Sequence, residues 1–181
     1  ETSPPAIAPF KGDAFVGLNA FSLSRDDLAY AQSRLVMLSG LYGVLRPLDL
    51  MQPYRLEMGG KFVPPGARSM LDFWKPRITA FLQQAVNVCD TPMIVNLASH
   101  EYSAAVDFNE IGVPVFSPRF LETKNGRCKI VSSFAKKARG LMTRWLILNR
   151  IQGSAELTGF CEGGYAFSPE HSTAREPTFV R

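Results

Sequence analysis

The sequence predicts a mixed α/β fold (α/β with α+β character), in which helices flank a mixed sheet, and three observations carry this prediction. Apolar residues recur at helical spacing in residues 25–37, 71–88 and 134–151. A short apolar run at residues 93–97 is typical of a buried strand. Asn125-Gly126 separates two strand-like segments, which is the strongest short-range hairpin signal. With 181 residues and 46% hydrophobic content, the chain suits one domain with a sizeable core.

The N-terminal third combines a proline-rich start with one clear helix. Pro4, Pro5 and Pro9 disfavour regular structure, so only a short strand is predicted at residues 8–11, followed by a turn. Ser24 is a good N-cap, and the acidic residues that follow it complement the helix dipole. The predicted helix covers residues 25–37 and leads into the turn at Gly40.

The remaining elements follow in order along the chain. Aromatic and aliphatic residues at helical spacing predict a helix at residues 71–88, and the strand at residues 93–97 comes next. The hairpin strands are predicted within residues 113–123 and 127–133. A helix at residues 134–151, a helical turn near 155–157, and strands at 165–167 and 178–180 complete the chain.

The helix at residues 134–151 has one apolar side and one basic side. Its apolar stripe consists of Phe134, Ala138, Leu141, Trp145 and Leu148. On the helical wheel, Gly140 lies between the basic side chains. A glycine in a helix interior lowers helix stability by about 1 kcal/mol relative to alanine. We therefore expect Gly140 to permit the close approach of another backbone or of a phosphate.

Basic residues are concentrated in one segment. Residues 123–155 contain eight Lys and Arg and no Asp or Glu, whereas the rest of the chain has twelve bases against sixteen acids. Such polarity favours a polyanionic partner such as nucleic acid, and a solvated surface is the alternative.

Several function classes are not indicated by the sequence. Cys89, Cys128 and Cys161 are odd in number and form no Cys-x-x-Cys pair, which fits reduced thiols in the cytoplasm. The sequence contains no run of about 18 apolar residues, so it predicts no membrane span. Phosphate-loop, dinucleotide and hydrolase motifs are absent, and with only His100 and His171 we expect no metal site and no cofactor.

A glycine-rich polar stretch occupies residues 35–60. A predicted helix enters the turn from Gly40 to Gly43, an arrangement similar to a helix-hairpin-helix, whose turn amides contact phosphates; a packing turn is the alternative. Charged and polar side chains follow in otherwise apolar sequence, and others cluster after the strand at residues 93–97. They form either buried networks or a ligand pocket: Arg46, Asp49, Tyr54, Arg55, Glu57, Asn96, Ser99 and Glu101.

Five sequence blocks resemble the YaaA family of bacterial peroxide stress proteins. They are Phe-Lys-Gly-Asp at 10–13, Leu-Ser-Gly-Leu-Tyr-Gly at 38–43 continuing to Arg-Leu-Glu-Met-Gly at 55–59, Asn-Leu-Ala-Ser-x-Glu-Tyr at 96–102, Ala-Lys-Lys-Ala-Arg-Gly-Leu-Met at 135–142, and Leu-Thr-Gly-Phe at 157–160. The resemblance implies a family-specific α/β fold with a helix-hairpin-helix-like element, DNA binding in a positively charged cleft, and survival of hydrogen peroxide by keeping unincorporated iron low.

Members of that family begin with a hydrophobic strand, a Ser-Pro-Ala-Lys motif and a helical region. This chain begins at Glu1, just before the Phe-Lys-Gly-Asp block. We therefore expect residues 1–181 to form a single YaaA-like domain that lacks the N-terminal strand and helical region.

Three functional hypotheses follow. The first is a cytoplasmic peroxide-stress protein that binds the backbone of duplex or branched DNA through Lys136, Lys137, Arg139 and Arg144 together with Gly40 and Gly43. The second is an enzyme that acts on a nucleotide or nucleic acid in the polar pocket, although the sequence specifies no catalytic group. The third is direct iron sequestration, which would need a carboxylate cluster that no spacing indicates.

Overall fold

The computed structural model describes residues 3–181 and confirms the mixed α/β class. Its helices are α1 Asp13–Leu18, α2 Arg25–Arg34, α3 Met70–Val86, α4 His100–Ser103, α5 Phe108–Ile111 and α6 Ser132–Leu148. Its strands are β1 Met37–Ser39, β2 Gly43–Leu45, β3 Ile94–Val95, β4 Val115–Phe116, β5 Arg119–Lys124, β6 Arg127–Lys129, β7 Ala166–Phe167 and β8 Thr178–Val180. Short 3₁₀ helices cover Ala20–Ser22, Ser154–Gly159, Glu162–Gly164 and Pro169–His171.

The chain divides into two compact units. The first unit contains the residues up to Pro9, Ala31–Pro92 and Ala98–Pro114, and the second contains Phe10–Tyr30, Met93–Leu97 and Val115–Arg181. The prediction that residues 1–181 form a single domain stays a prediction. Within residues 3–181, no helix is both long enough and apolar enough to cross a membrane.

Helix α2 begins where the sequence predicts and ends earlier. The Ser24 hydroxyl accepts a hydrogen bond from the Asp27 backbone N–H at 3.1 Å, and the Asp27 carboxylate accepts from the Ser24 backbone N–H at 3.1 Å, which closes a capping box. The predicted helix at residues 25–37 is three residues too long, since Met37–Ser39 forms strand β1 and pairs with β2.

Two other predictions about the N-terminal third are wrong. Residues 6–9 form a turn in which Ala8 N–H donates to the Pro5 carbonyl at 3.0 Å, so residues 8–11 contain no strand. The turn from Gly40 to Gly43 joins the antiparallel strands β1 and β2. It is therefore a strand connection, and the helix-hairpin-helix-like element is not formed there.

The first unit places its longest helix, α3, beside the β1–β2 pair. The Ser69 hydroxyl caps α3 by accepting a hydrogen bond from the Asp72 N–H at 3.0 Å. Helix α3 lies within two residues of the prediction at each end. Its buried residues include Met70, Ile78 and Val86.

The second unit contains a four-stranded mixed sheet in the order β6-β5-β8-β7. Strands β5 and β8 are parallel, and the other two pairings are antiparallel. A separate parallel pair joins β3 to β4. The predicted hairpin, the helix at residues 134–151 and both C-terminal strands are present as β5–β6, α6, β7 and β8.

The core of the second unit lies between the sheet and helix α6. Phe120, Phe160 and Phe179 are at most 2% exposed, and Ala138 and Met142 of α6 are fully buried against them. The Phe160 and Phe179 rings meet edge to face at 5.3 Å between centroids. This core fixes the positions of α6 and the β5–β6 hairpin, which together carry most of the basic segment.

Candidate nucleic-acid interface

The β5–β6 hairpin presents three of the basic side chains. Asn125 and Gly126 form its two-residue loop with φ values of 52° and 70°, as a type I′ turn requires. The loop sets the register in which Lys124 pairs with Arg127, so these two side chains lie on the same face. Lys124, Arg127 and Lys129 are exposed.

An open groove of about 680 Å³ lies along the hairpin. Arg119, Arg127, Lys129 and His171 contribute its polar side chains, and no carboxylate lines it. His171 is held in place, because its Nδ1 lies 2.8 Å from Ser168 Oγ and 3.3 Å from the exposed Glu170 carboxylate. This basic groove is therefore suited to an anionic ligand.

Helix α6 adds a second group of cations. Lys136 and Lys137 are exposed, and neither forms an ion pair with another described residue. Arg139 is half-buried, and its burial lowers the pKa of the guanidinium below the ordinary value. Arginine still keeps its charge at neutral pH. A half-buried cation with no carboxylate partner among the described residues favours a bound anion.

Arg144, by contrast, is committed to the fold. Its Nη1 donates to the carbonyls of Leu18 and Asn19, both at 3.3 Å, and to Ser22 Oγ at 2.7 Å. A cation at this position complements the negative end of the α1 dipole and satisfies its terminal carbonyls. The guanidinium that the sequence assigned to DNA thus holds the end of α1.

Arg150 is also engaged within the second unit. Its Nη2 pairs with the Asp27 carboxylate at 2.8 Å, and its guanidinium lies 4.4 Å from the centre of the Tyr30 ring. Asp27 is the residue that caps α2, so Arg150 supports that cap. Two of the eight bases in residues 123–155 therefore have structural partners.

Gly40 and Gly43 are explained by packing in the first unit. A Cβ at Gly40 would lie 2.4 Å from the Leu56 carbonyl oxygen, and a Cβ at Gly43 would lie 2.3 Å from the Trp74 ring. Gly43 also has a φ of 72°, which other residues adopt at a cost. A side chain at either position would disrupt these contacts, so packing alone accounts for both glycines.

Arg46 and Asp49 form one local network. The Asp49 carboxylate accepts from the Arg46 backbone N–H at 2.7 Å, and Arg46 Nη1 donates to the Gln32 carbonyl at 3.2 Å. The Gln32 side chain completes the network by accepting from the Leu48 N–H at 2.7 Å. These bonds lock the loop after β2 to the end of helix α2.

Tyr54 and Glu101 belong to other contacts in the same unit. The Tyr54 hydroxyl bonds to the buried Ser39 hydroxyl, and burial is the main cause that raises the pKa of Tyr54. The Glu101 carboxylate accepts from the Gly59 N–H at 2.8 Å. Burial, followed by the Glu101 charge, raises the pKa of Tyr102. Arg55 and Glu57 are exposed.

The last two predicted pocket residues lie near strand β3 and helix α4. Asn96 belongs to the second unit, where its backbone N–H donates to the Phe116 carbonyl at 2.7 Å. Ser99 belongs to the first unit and occupies the N-cap position of α4 without a side-chain cap bond. Within the first unit, Arg46 and Asp49 belong to the network around Gln32, whereas Tyr54, Glu57 and Glu101 all lie close enough to Tyr102 to raise its pKa.

Among residues 3–181, no three His, Cys, Asp or Glu side chains are grouped so that they could hold a metal ion. The residues that the sequence missed are Arg119 and His171 of the basic groove. Their place in the groove could not be predicted from local sequence, because the pairing of β5 with the distant strand β8 brings their segments together.

These features define a mixed α/β protein whose second unit carries cations on the β5–β6 hairpin and on helix α6 that form no ion pair with any residue of 3–181. The chain belongs to the peroxide stress protein YaaA family, whose profile, described as "Peroxide stress protein YaaA", matches residues 1–171. A "UPF0246 protein" of Dinoroseobacter shibae is 50% identical over 181 residues, which cover 100% of this chain and 68% of the relative. A "UPF0246 protein" of Cellvibrio japonicus is 46% identical over 181 residues, covering 100% of this chain and 70% of the relative. The resemblance predicted from the sequence blocks is confirmed.

Proposed function

We propose that this protein acts in the peroxide stress response by binding the phosphate backbone of duplex or branched DNA through a basic surface. That surface consists of Lys124, Arg127, Lys129, Lys136, Lys137 and Arg139, with Arg119 and His171 in the groove. The observation that carries the proposal is that none of its Lys and Arg side chains has an ion-pair partner among the described residues. Such cations release counterions when they neutralise phosphates.

The two kinds of side chain would share the work of binding. Lys136 and Lys137 on α6 and Lys124 and Lys129 on the hairpin are flexible point charges that follow a backbone without reading bases. Arg119 and Arg127 in the groove and Arg139 on α6 can each hold a phosphate with two parallel hydrogen bonds. Binding of this type is independent of sequence and falls steeply with salt concentration.

The cellular part of the proposal rests on family membership and on the cysteines. The family description supports a role in peroxide stress. All three cysteines lie in the described part of the chain and are free thiols, which fits a cytoplasmic location. A lowering of free intracellular iron is proposed from the family resemblance alone.

The alternative, an enzyme that acts on a nucleotide through the predicted polar pocket, has less support. The pocket residues of the first unit bond to different local partners, since Arg46 and Asp49 bond with Gln32, Tyr54 with Ser39, and Glu101 with Gly59. Tyr54, Glu57 and Glu101 lie near Tyr102, but Arg46 and Asp49 belong to the network around Gln32.

Binding to fluorescein-labelled duplex and four-way-junction DNA, followed by anisotropy, tests the proposal. One variant carries Lys136→Gln and Lys137→Gln, and another carries Lys124→Gln, Arg127→Gln and Lys129→Gln. The matched control carries Lys61→Gln and Lys75→Gln, which are exposed lysines of the first unit.

We expect each basic-surface variant to lose roughly tenfold or more in affinity at low salt, whereas the control stays within about twofold of the wild type. Equal loss in the control would mean that general charge, not this surface, governs binding. No binding by the wild-type protein to either DNA would refute the proposal.

A further inference from the structure

A second groove, in the first unit, differs in character from the basic groove. It has a volume of about 300 Å³, which is at the lower limit for small-molecule sites. Three aromatic side chains line it, together with two arginines, and we call it the aromatic groove. Its lining comprises Tyr42, Val44, Arg46, Asp49, Trp74, Arg77, Ile78 and Phe81.

The aromatic rings of this groove are held in fixed orientations. The Trp74 indole N–H donates to the Gly40 carbonyl at 2.8 Å, and the absence of a side chain at Gly43 lets the ring lie against the backbone. The Tyr42 hydroxyl accepts from the Gln52 N–H at 3.1 Å, and its ring meets Tyr54 edge to face at 5.6 Å. Rings fixed in this way lose little conformational entropy when a flat ligand stacks on them.

The arginines bring positive charge to the same groove. Arg46 lies over the Phe81 ring at 5.4 Å, and Arg77 lies over the Phe73 ring at 3.9 Å. Neither forms an ion pair with another described residue. The Asp49 carboxylate in the groove accepts from the Arg46 backbone N–H at 2.7 Å and from the Gln32 amide at 3.4 Å. Arg77 is exposed, and its Nη1 donates to the Phe73 carbonyl, which leaves the other guanidinium N–H groups available to a ligand.

We propose that the aromatic groove binds an unpaired nucleobase that carries a phosphate, with the base stacked on the aromatic side chains and the phosphate held by Arg77 and Arg46. Aromatic faces combined with arginine are the means by which proteins bind unpaired bases independently of sequence. A base inside a duplex is stacked and paired and cannot enter such a groove. The ligand is therefore a free nucleotide or a single-stranded segment.

This site is independent of the basic surface, and its test uses a readout that is specific to the groove. The chain has two tryptophans, Trp74 and Trp145. A Trp145→Phe background makes Trp74 the sole fluorophore, and stacking of a base on its ring quenches that fluorescence. The probes are adenosine 5′-monophosphate, ribose 5-phosphate and a ten-residue oligothymidylate.

We expect saturable quenching by the monophosphate and by the oligothymidylate, and none by ribose 5-phosphate. Arg77→Gln is expected to weaken binding roughly tenfold, as is Phe81→Leu, which removes a stacking face but keeps apolar volume. Lys75→Gln, on the same helix, is the matched control and should leave the affinity unchanged.

Two further comparisons distinguish a free nucleotide from a single strand as the ligand, and distinguish this proposal from the duplex-binding proposal. Binding of the oligothymidylate at least tenfold tighter than that of the monophosphate assigns the groove to single strands, and similar affinities assign it to free nucleotides. Lys136→Gln with Lys137→Gln should not alter the quenching, so failure of the duplex proposal leaves this one intact. Absence of saturable quenching by both base-containing probes, or unchanged affinity in the Arg77→Gln and Phe81→Leu variants, would overturn it.

Discussion

Gly17 of helix α1 and Gly140 of helix α6 lie at a contact where the two helix backbones touch. A Cβ at Gly140 would lie 1.8 Å from the Ala14 carbonyl oxygen, and a Cβ at Gly17 would lie 2.2 Å from the Lys137 carbonyl oxygen. Of the two partners predicted for Gly140, a backbone or a phosphate, the structure shows the backbone. The contact holds α1 against the helix that carries Lys136, Lys137 and Arg139.

The first prediction concerns this helix contact. Gly140→Ala removes the helix-propensity cost of glycine but introduces a methyl group where the Ala14 carbonyl lies. Overpacking of this kind typically costs about 1–3 kcal/mol, and we expect a net loss near the middle of that range in the free energy of unfolding. Urea unfolding followed by circular dichroism measures it.

Gly12→Ala is the matched control for that experiment. A Cβ at Gly12 would meet nothing within 4 Å, and Gly12 has an ordinary φ of −66°. Because Gly12 is the N-cap residue of α1, where Ala is less favourable than Gly, we expect a loss of at most about 1 kcal/mol. A Gly140→Ala protein as stable as the Gly12→Ala protein would contradict the close backbone contact.

The second prediction separates structural from DNA-binding arginines. Arg144→Gln should lower the free energy of unfolding by about 1–2 kcal/mol, because the carbonyls at the end of α1 lose a charged donor. Its affinity for duplex DNA should stay within twofold of the wild type under conditions where the variant is folded. A tenfold loss of DNA affinity with no loss of stability would contradict this assignment and show that Arg144 contacts DNA.

The third prediction concerns pH. The Ser24 side-chain hydrogen bond is the largest cause that lowers the pKa of Asp27, and Arg150 adds to it. Because the folded-state pKa lies below the unfolded value of about 3.9, the charged carboxylate stabilises the fold above that value. The stabilisation is lost as the pH falls through the folded-state pKa.

Urea unfolding of the wild type and of Asp27→Asn across the acid range checks this pH dependence. The difference in stability between the two proteins should be constant near neutral pH and shrink as the pH falls below about 4. A difference that grows toward low pH would mean that the carboxyl is stabilising in its protonated form.

Elements whose signals are local were predictable from the sequence. The α2 cap was visible because Ser24, a good N-cap residue, directly precedes the helical pattern. The β5–β6 hairpin was visible because Asn-Gly favours positive φ at both loop positions. Helix α6 was visible from the helical spacing of its apolar residues, but Phe134 and Leu148 of the predicted stripe are exposed, at 46% and 43%. In each case, the residues that determine the element lie within one short stretch of sequence.

Features that depend on distant partners were not predictable. The end of α2 depends on the pairing of β1 with β2, and the engagement of Arg144 depends on carbonyls more than 120 residues earlier in the chain. The basic groove depends on strand β8 and on His171. The sequence shows that Arg139 and Arg144 are both cations. Only the fold shows that the Arg144 guanidinium already has hydrogen-bond partners.

The dependence of DNA affinity on salt concentration tests the central claim most directly. The logarithm of the association constant should fall linearly with the logarithm of salt concentration for wild-type protein on duplex DNA. If Lys136 and Lys137 each neutralise a phosphate, Lys136→Gln with Lys137→Gln should reduce the slope by about 1.8, or about 0.9 for each lost contact. An unchanged slope would show that these side chains contact no phosphate and would contradict the assignment of α6 to the DNA-binding surface.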